Sequence, residues 1–264
     1  MGMIQDVWRY RQFIVSSIQS DLATRFVRSR LGGLWMIVHP LALVLMYTLI
    51  LSAVLAARLP GMEETRFAYA IYLLAGILGW SLFTEVVDRC ARVFIDNAEM
   101  MKKMVFPRIC LPLIVVGTAL LNHFFLFAAG FAVLVALGHL PGADMAWLPL
   151  VIVINLGLAT GLGLILGVFN VFVRDVGQVV GLALQYGFWF TPIVYMPAIL
   201  PDPLRMLLKL NPLYWVVSGY QNILVFHGPP PLQGLAITGA LAGFLLVAAL
   251  YLFRRAAPEM VDVL

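Results

Sequence analysis

The chain has 264 residues and a formal charge of +4. Hydrophobic residues make up 62% of it and charged residues 11%, where a soluble domain carries about 45–50% apolar and about 25% charged residues. So few charges cannot clothe so much apolar surface in water, which excludes soluble enzymes, disordered tails, disulfide mini-proteins and nucleic-acid-binding domains and leaves an integral membrane protein.

In chain order, residues 4–30 read as an amphipathic helix lying on a membrane surface. Ile4, Val7, Trp8, Val15, Ile18, Leu22 and Phe26 recur every three to four positions, and Arg9, Arg11, Arg25 and Arg28 fall mostly elsewhere on the wheel. Such a helix can sink its apolar face to the headgroup boundary and set arginine against anionic lipid. It is equally consistent with a simple anchor and with a functional collar. The first long apolar run starts only near Leu34, later than a cleavable signal would place it, so none is expected.

A helix needs about 20 apolar residues to cross the hydrocarbon. The long uncharged gaps predict crossings at 34–57, 68–87, 109–137, 148–172, 177–196 and 232–253. Gly138, Pro141 and Gly142 close the third gap after one helix. The stretch 211–226 is too short and too polar for a crossing, with Ser218, Gln221 and Asn222 inside it. The run from His227 to Pro231 then cuts it off, so it reads as re-entrant or interfacial.

Of the 17 lysines and arginines, only Arg58, Arg66, Arg205 and Lys209 fall on the side opposite the N-terminal segment and the Asp88–Arg108 loop. By the positive-inside rule both termini are expected in the cytoplasm. The predicted fold is therefore all-α and integral to the membrane: one domain over 1–264, with six transmembrane helices, an N-terminal interfacial helix, and an outer re-entrant hairpin before the last span.

The Asp88–Arg108 loop holds a predicted helix over 92–106, stopped before Pro107. It sets Phe94, Met101 and Val105 beside Lys102 and Lys103, a partly apolar surface suited to docking a partner. A basic loop with no partner would read the same way.

Primary-active transport needs a nucleotide site, and the phosphate-cradling G-x-x-x-x-G-K-[S/T] pattern is missing; Lys102, Lys103 and Lys209 never precede Ser or Thr. Neither H-E-x-x-H nor C-x-x-C occurs, no metal site is predicted, and Cys90 and Cys110 are expected to be reduced thiols. No Asp or Glu occupies a span centre. His39 and His123 are the deep polar groups, and each is expected to hydrogen-bond between helices rather than relay protons.

Tyr186, Trp189 and Phe190 lie at i, i+3 and i+4 in the fifth predicted span, deeper than an interfacial aromatic belt. Their rings can stack on sugar C–H faces without demanding one sugar, or simply pack between helices. Gly157/Gly161, Gly163/Gly167 and Gly177/Gly181 read as small-xxx-small packing faces.

Several runs together resemble the type-2 ATP-binding-cassette export permeases, in particular those that export lipid-linked polysaccharide. Arg30-Leu-Gly-Gly-Leu-Trp-Met-Ile-Val-His-Pro-Leu is similar to the family's entry into the first span, and Asn97-Ala-Glu-Met-Met-Lys-Lys-Met-Val-Phe-Pro-Arg with Leu111-Pro112 to its coupling loop. Arg174-Asp175-Val, Thr191-Pro-Ile-Val-Tyr195 and Asn211-Pro212 follow in the family's order.

The resemblance implies a homodimer working with two copies of a separate nucleotide-binding ATPase. That partner would bind ATP and Mg, and this chain would carry no cofactor and no catalytic site. Asn97, Met101, Lys102, Lys103 and Phe106 would couple to the ATPase, with Leu31, Gly32 and Gly33 at the cytoplasmic entrance. Trp35, Tyr47, Tyr186, Trp189 and Phe190 would line a channel between the first and fifth spans. The segment 197–231 would form a periplasmic gate carrying Tyr214, Trp215 and Tyr220. Gln221 departs from the family, which has a basic residue there.

The function this implies is export of undecaprenyl-linked O-antigen across the bacterial inner membrane. Capsule polymer, teichoic acid or a small drug or lipid is the alternative cargo. An ion-coupled carrier working alone, or an anchor that merely recruits a cytoplasmic protein, is the alternative of another class.

Overall fold

The computed structural model describes residues 7–26, 68–103, 106–136, 138–140 and 142–263, together with Leu34, Trp35, Val38, Leu41, Ala42 and Met46. The described residues form helices joined by turns, with no strand among them. The helices are α1 (Arg11–Phe26), α2 (Ala68–Asp96), α3 (Ala98–Lys103), α4 (Cys110–Ala136), α5 (Leu148–Phe172), α6 (Asp175–Gly187), α7 (Asp202–Leu208), α8 (Pro212–Leu224) and α9 (Leu232–Val263). Four helical stretches are long and apolar enough to cross a membrane: Ala68–Asp96, Cys110–Ala136, Ala143–Phe172 and Leu232–Met260. The first predicted span, 34–57, lies mostly outside the described residues.

Helix α5 is the axis of the bundle, packed between α9 and α2, and α2 also carries α4 on another side. Glycines set this sandwich. A Cβ at Gly161 would sit 2.8 Å from Leu245 of α9, and one at Gly163 would sit 2.8 Å from the Cys90 Cβ of α2. Gly157 and Gly167 extend the same two faces, toward Ala242 and the Cys90 backbone respectively. Two of the predicted glycine pairs thus let α5 approach one neighbour on each side, where close packing must hold helices together without a hydrophobic driving force.

Termination signals act where the sequence places them. Gly138, at φ 76°, closes α4 in the left-handed conformation. The Gly138 amide donates to the Val135 carbonyl and the His139 amide to the Leu134 carbonyl, a Schellman arrangement that glycine adopts at least cost. Asn211 caps α8 by accepting from the Leu213 amide at 3.0 Å, with Pro212 in the first turn. Helix α9 runs ten residues beyond the predicted end of the last span and takes in Arg254, Arg255 and Pro258.

The fifth predicted span differs most from expectation. Its helix stops at Gly187, and 188–196 continue as turns. Pro192 explains the stop: it lacks an N–H, and its ring cannot sit one helical turn beyond the Phe188 carbonyl. The carbonyls released by the break find side-chain donors instead. Tyr69 donates to Val194 O at 2.7 Å, Tyr72 to Pro192 O and Tyr195 O at 3.2 Å, Gln221 to Pro192 O at 3.0 Å, and Asn211 to Phe190 O at 3.3 Å. Broken backbone in a membrane protein is tolerable when it is satisfied in this way.

Helix α1 packs along α4. Phe13, Ile14, Ile18 and Leu22 are half-buried, while Trp8 and Val15 of the predicted apolar face stay exposed. Its packing face is therefore rotated from the one the periodicity suggests. An exposed apolar edge on such a helix suits a lipid interface.

Candidate functional site

Helix α6 presents a continuous exposed stripe. Tyr186, Trp189 and Phe190 are 60%, 55% and 68% exposed. The Trp189 and Phe190 amides both donate to the Tyr186 carbonyl, so these two rings sit one turn on from Tyr186 even though the regular helix has ended. Gln178 and Gln185 are also exposed, at i and i+7, with exposed Leu182 between them.

Two primary amides on an uncovered face of an otherwise apolar helix would be costly against lipid. Against a hydrated polymer they offer donors and acceptors for hydroxyl groups, and the three rings offer stacking faces. Periodicity had grouped the aromatics and passed over the glutamines. The signal was present, because Gln178 and Gln185 are the uncharged polar residues that share the aromatic side of the wheel.

Behind the stripe, Phe188 turns inward onto Trp80, with ring centroids 5.9 Å apart, and a Cβ at Gly187 would lie 3.1 Å from the Trp80 ring. The C-terminal end of α6 is thereby held against α2. Trp35 is described and exposed; Tyr47 and the entrance residues Leu31, Gly32 and Gly33 lie outside the described residues.

The basic end of the bundle is built around the break between α2 and α3. Asn97 interrupts the helix, and its side chain donates to the Val93 carbonyl at 2.8 Å. Helix α3 has Glu99 in its first turn and Lys102 and Lys103 in its last, matching the helix dipole. Lys103 and Glu99 pair at 2.8 Å.

The five predicted coupling residues divide. Lys102 and Lys103 point into solvent, Met101 is buried, Asn97 is half-buried, and Phe106 lies against Phe13 of α1 with centroids 5.6 Å apart. The exposed surface of α3 is therefore charged, and its apolar residues hold the helix onto the bundle.

Just above it, an ionic cluster joins three helices. Arg89 pairs with Asp21 of α1 and, at 3.5 Å, with Glu85, while Asn122 of α4 donates to Glu85. A cavity of about 310 Å³ lies beside the cluster, lined among others by Ser17, Asp21, Arg89 and Asn97. These side chains are partly buried, and the Arg89–Asp21 pair attaches α1 to the bundle by charge as well as by packing.

At the opposite end, Tyr214 and Trp215 are half-buried with rings 4.8 Å apart, and the Trp215 indole donates to Lys209 O at 3.1 Å. Tyr220 is 0% exposed. Its ring covers Gly79 and its hydroxyl meets His123 Nε2 at 3.2 Å, which is the interhelical role expected of His123. Tyr220 therefore faces the core, because the missing Cβ at Gly79 opens a slot that its ring fills. Gln221, also buried, holds the broken segment after α6 through Pro192 O. Cys90 and Cys110 are both buried and do not pair with each other. Among the described residues no cluster of three or more metal-ligating side chains occurs.

The family model described as ABC-2 type transporter matches residues 12–225. The chain is 28% identical over 262 residues to the O-antigen export system permease protein RfbA of Myxococcus xanthus, covering 98% of each chain. It is 25% identical over 252 residues to an O-antigen export system permease protein RfbA of Klebsiella pneumoniae, covering 95% of this chain and 94% of the relative.

Proposed function

The chain belongs to the ABC-2 type transporter family, and on that premise we propose that it is the membrane permease of an ATP-driven exporter of lipid-linked O-antigen polysaccharide. Two copies would form the channel in the bacterial inner membrane, each with six crossings, both termini in the cytoplasm, and one separate ATPase subunit beneath. ATP and Mg would be bound by that partner, which agrees with the missing phosphate-binding pattern here.

The observation that carries the cargo class is the α6 stripe. Tyr186, Trp189 and Phe190 follow Gln178 and Gln185 on one uncovered side, a combination that suits a neutral glycan better than lipid or a polyanion. Each ring offers an apolar stacking face without a directional bond, so that a polymer can slide from one contact to the next. The near full-length likeness to two O-antigen export permeases supports the same cargo. The solvent-facing lysines of α3 supply the contact with the ATPase, and the segment 197–231 with Tyr214 and Trp215 the outer gate.

Inside-out vesicles carrying this chain and its cognate ATPase test the proposal. They should draw radiolabelled lipid-linked polysaccharide into the lumen only when ATP is supplied. Equal uptake by vesicles lacking the ATPase but holding an ion gradient would overturn it in favour of a self-sufficient carrier.

A further inference from the structure

One buried side chain joins the two parts that this exporter reading separates, the arm that receives the push and the helix that lines the path. Asn170, in the last turn of α5, is 2% exposed. Its amide nitrogen donates to the Ala91 carbonyl of α2 at 2.8 Å, and its amide oxygen accepts from the Gly177 amide of α6 at 2.9 Å. Both ends of the amide are thus used, on two different helices.

The link to α6 replaces an ordinary cap. Arg174, at the N-cap of α6, makes no side-chain capping bond, so an N–H of the first turn is satisfied from the preceding helix. Gly177 is needed for that approach: a Cβ there would lie 3.0 Å from the Asn170 amide nitrogen.

The link to α2 is as tight. Gly163, Gly167 and Asn170 fall at i, i+4 and i+7 on α5, and the two glycines let that face meet the α2 backbone around Val87 and Cys90. Helices α2 and α5 therefore share a seam with no room to slide, and α2 runs on to Asp96, directly ahead of α3.

Between the end of α2 and the start of α6 the space is otherwise open. A cavity of about 380 Å³ lies there, lined by Arg92, Ile95, Arg174 and Gln178 among others. Packed side chains do not fill this gap, and Asn170 bridges it.

We infer that Asn170 is a positioning residue that drags the basic end of α6 along with the α2–α5 block when α3 is pushed, converting ATPase closure into movement of the polymer-contacting stripe. This rests on the exporter reading for the source of the push and for what the stripe contacts. The bond to Ala91 is buried and the bond to Gly177 partly so, and losing the Asn170 amide leaves polar backbone groups of two helices without that partner.

The test uses the full complex with its ATPase and a single reporter, Val179→Cys, on the exposed side of α6; the two native cysteines are buried. Maleimide labelling of the reporter should change about fivefold when a non-hydrolysable ATP analogue binds, as expected for a two-state shift of α6. Asn170→Ala and Gly177→Ala should each abolish that change while nucleotide still binds, and in vesicles export should fall about tenfold with ATP hydrolysis held within about twofold.

A nucleotide-driven change that persists in both variants, or that never occurs in the unmodified complex, overturns the inference. So does a parallel fall of hydrolysis and export, the mark of a purely structural residue. The reporter needs no polysaccharide, so an exporter of some other cargo would fail the vesicle assay and still pass this one.

Discussion

The hydroxyl of Tyr220 and the Nε2 of His123 meet inside the bundle, 3.2 Å apart, where neither can turn to water. Tyr220→Phe keeps the ring in the Gly79 slot and strands the imidazole, at a cost of about 1–3 kcal/mol. Thermal unfolding in detergent should show a lowered midpoint. The double variant Tyr220→Phe/His123→Phe should recover part of it, because neither member of the pair is then left facing a missing partner. An additive double variant would mean that the two groups do not interact. That His123 bonds between helices was legible from its lone polar character in an apolar run. That Tyr220 supplies the partner was not, since the pairing joins α4 to α8 across 97 positions of sequence.

At the scale of the helix, small residues decide which neighbours can meet. A Cβ at Gly167 would collide with the Cys90 carbonyl oxygen, whereas one at Gly243 meets nothing within 4 Å. Gly167→Ala should therefore destabilise the α2–α5 seam by about 1–3 kcal/mol as an overpacked contact, and Gly243→Ala should be close to neutral. Fluorescence-detected size exclusion after mild heating would separate them; equal survival of both would deny the seam its role.

The spacing of these glycines announced close helix packing, and Gly138 announced the end of α4. Helix α6 was harder to read. A 20-residue apolar gap suggested one straight crossing, yet Pro192 ends the helix early, and the broken turn persists because Tyr69, Tyr72, Asn211 and Gln221 reach its carbonyls. Those donors come from α2, α8 and the residue that caps α8, so no local pattern could reveal them. The departure at Gln221 was visible in the chain, but its use as a clamp on Pro192 needed the fold.

For the molecule as a whole, the proposed exporter mechanism has force enter at the basic end and leave along α6. The Asp21–Arg89–Glu85–Asn122 cluster and the Asn170 link make α1, α2, α4 and the start of α6 one connected frame. On α3, Met101 secures the helix to that frame and Lys102 and Lys103 face outward. Charge reversal, Lys102→Glu with Lys103→Glu, should thus lower the ATPase recovered on a tag of this chain about tenfold, as for rim charges that steer association, with the permease's own melting temperature unchanged. Met101→Ala should do the reverse, lowering the melting temperature first. Basic residues gathered in one loop singled out a candidate docking end in the sequence, but which of them are buried and which exposed depends on which side of a six-residue helix packs inward.

The passage of a glycan along α6 can be tested by placing a photo-reactive amino acid at Gln185 and Tyr186 and, as a control, at the exposed apolar positions Phe244 and Val247 of α9. During ATP-driven export of a radiolabelled polysaccharide, illumination should attach label to the chain at Gln185 and Tyr186 and leave Phe244 and Val247 unlabelled. Label at the α9 positions with none on α6, while export proceeds, would place the polymer elsewhere and contradict the role assigned to the stripe.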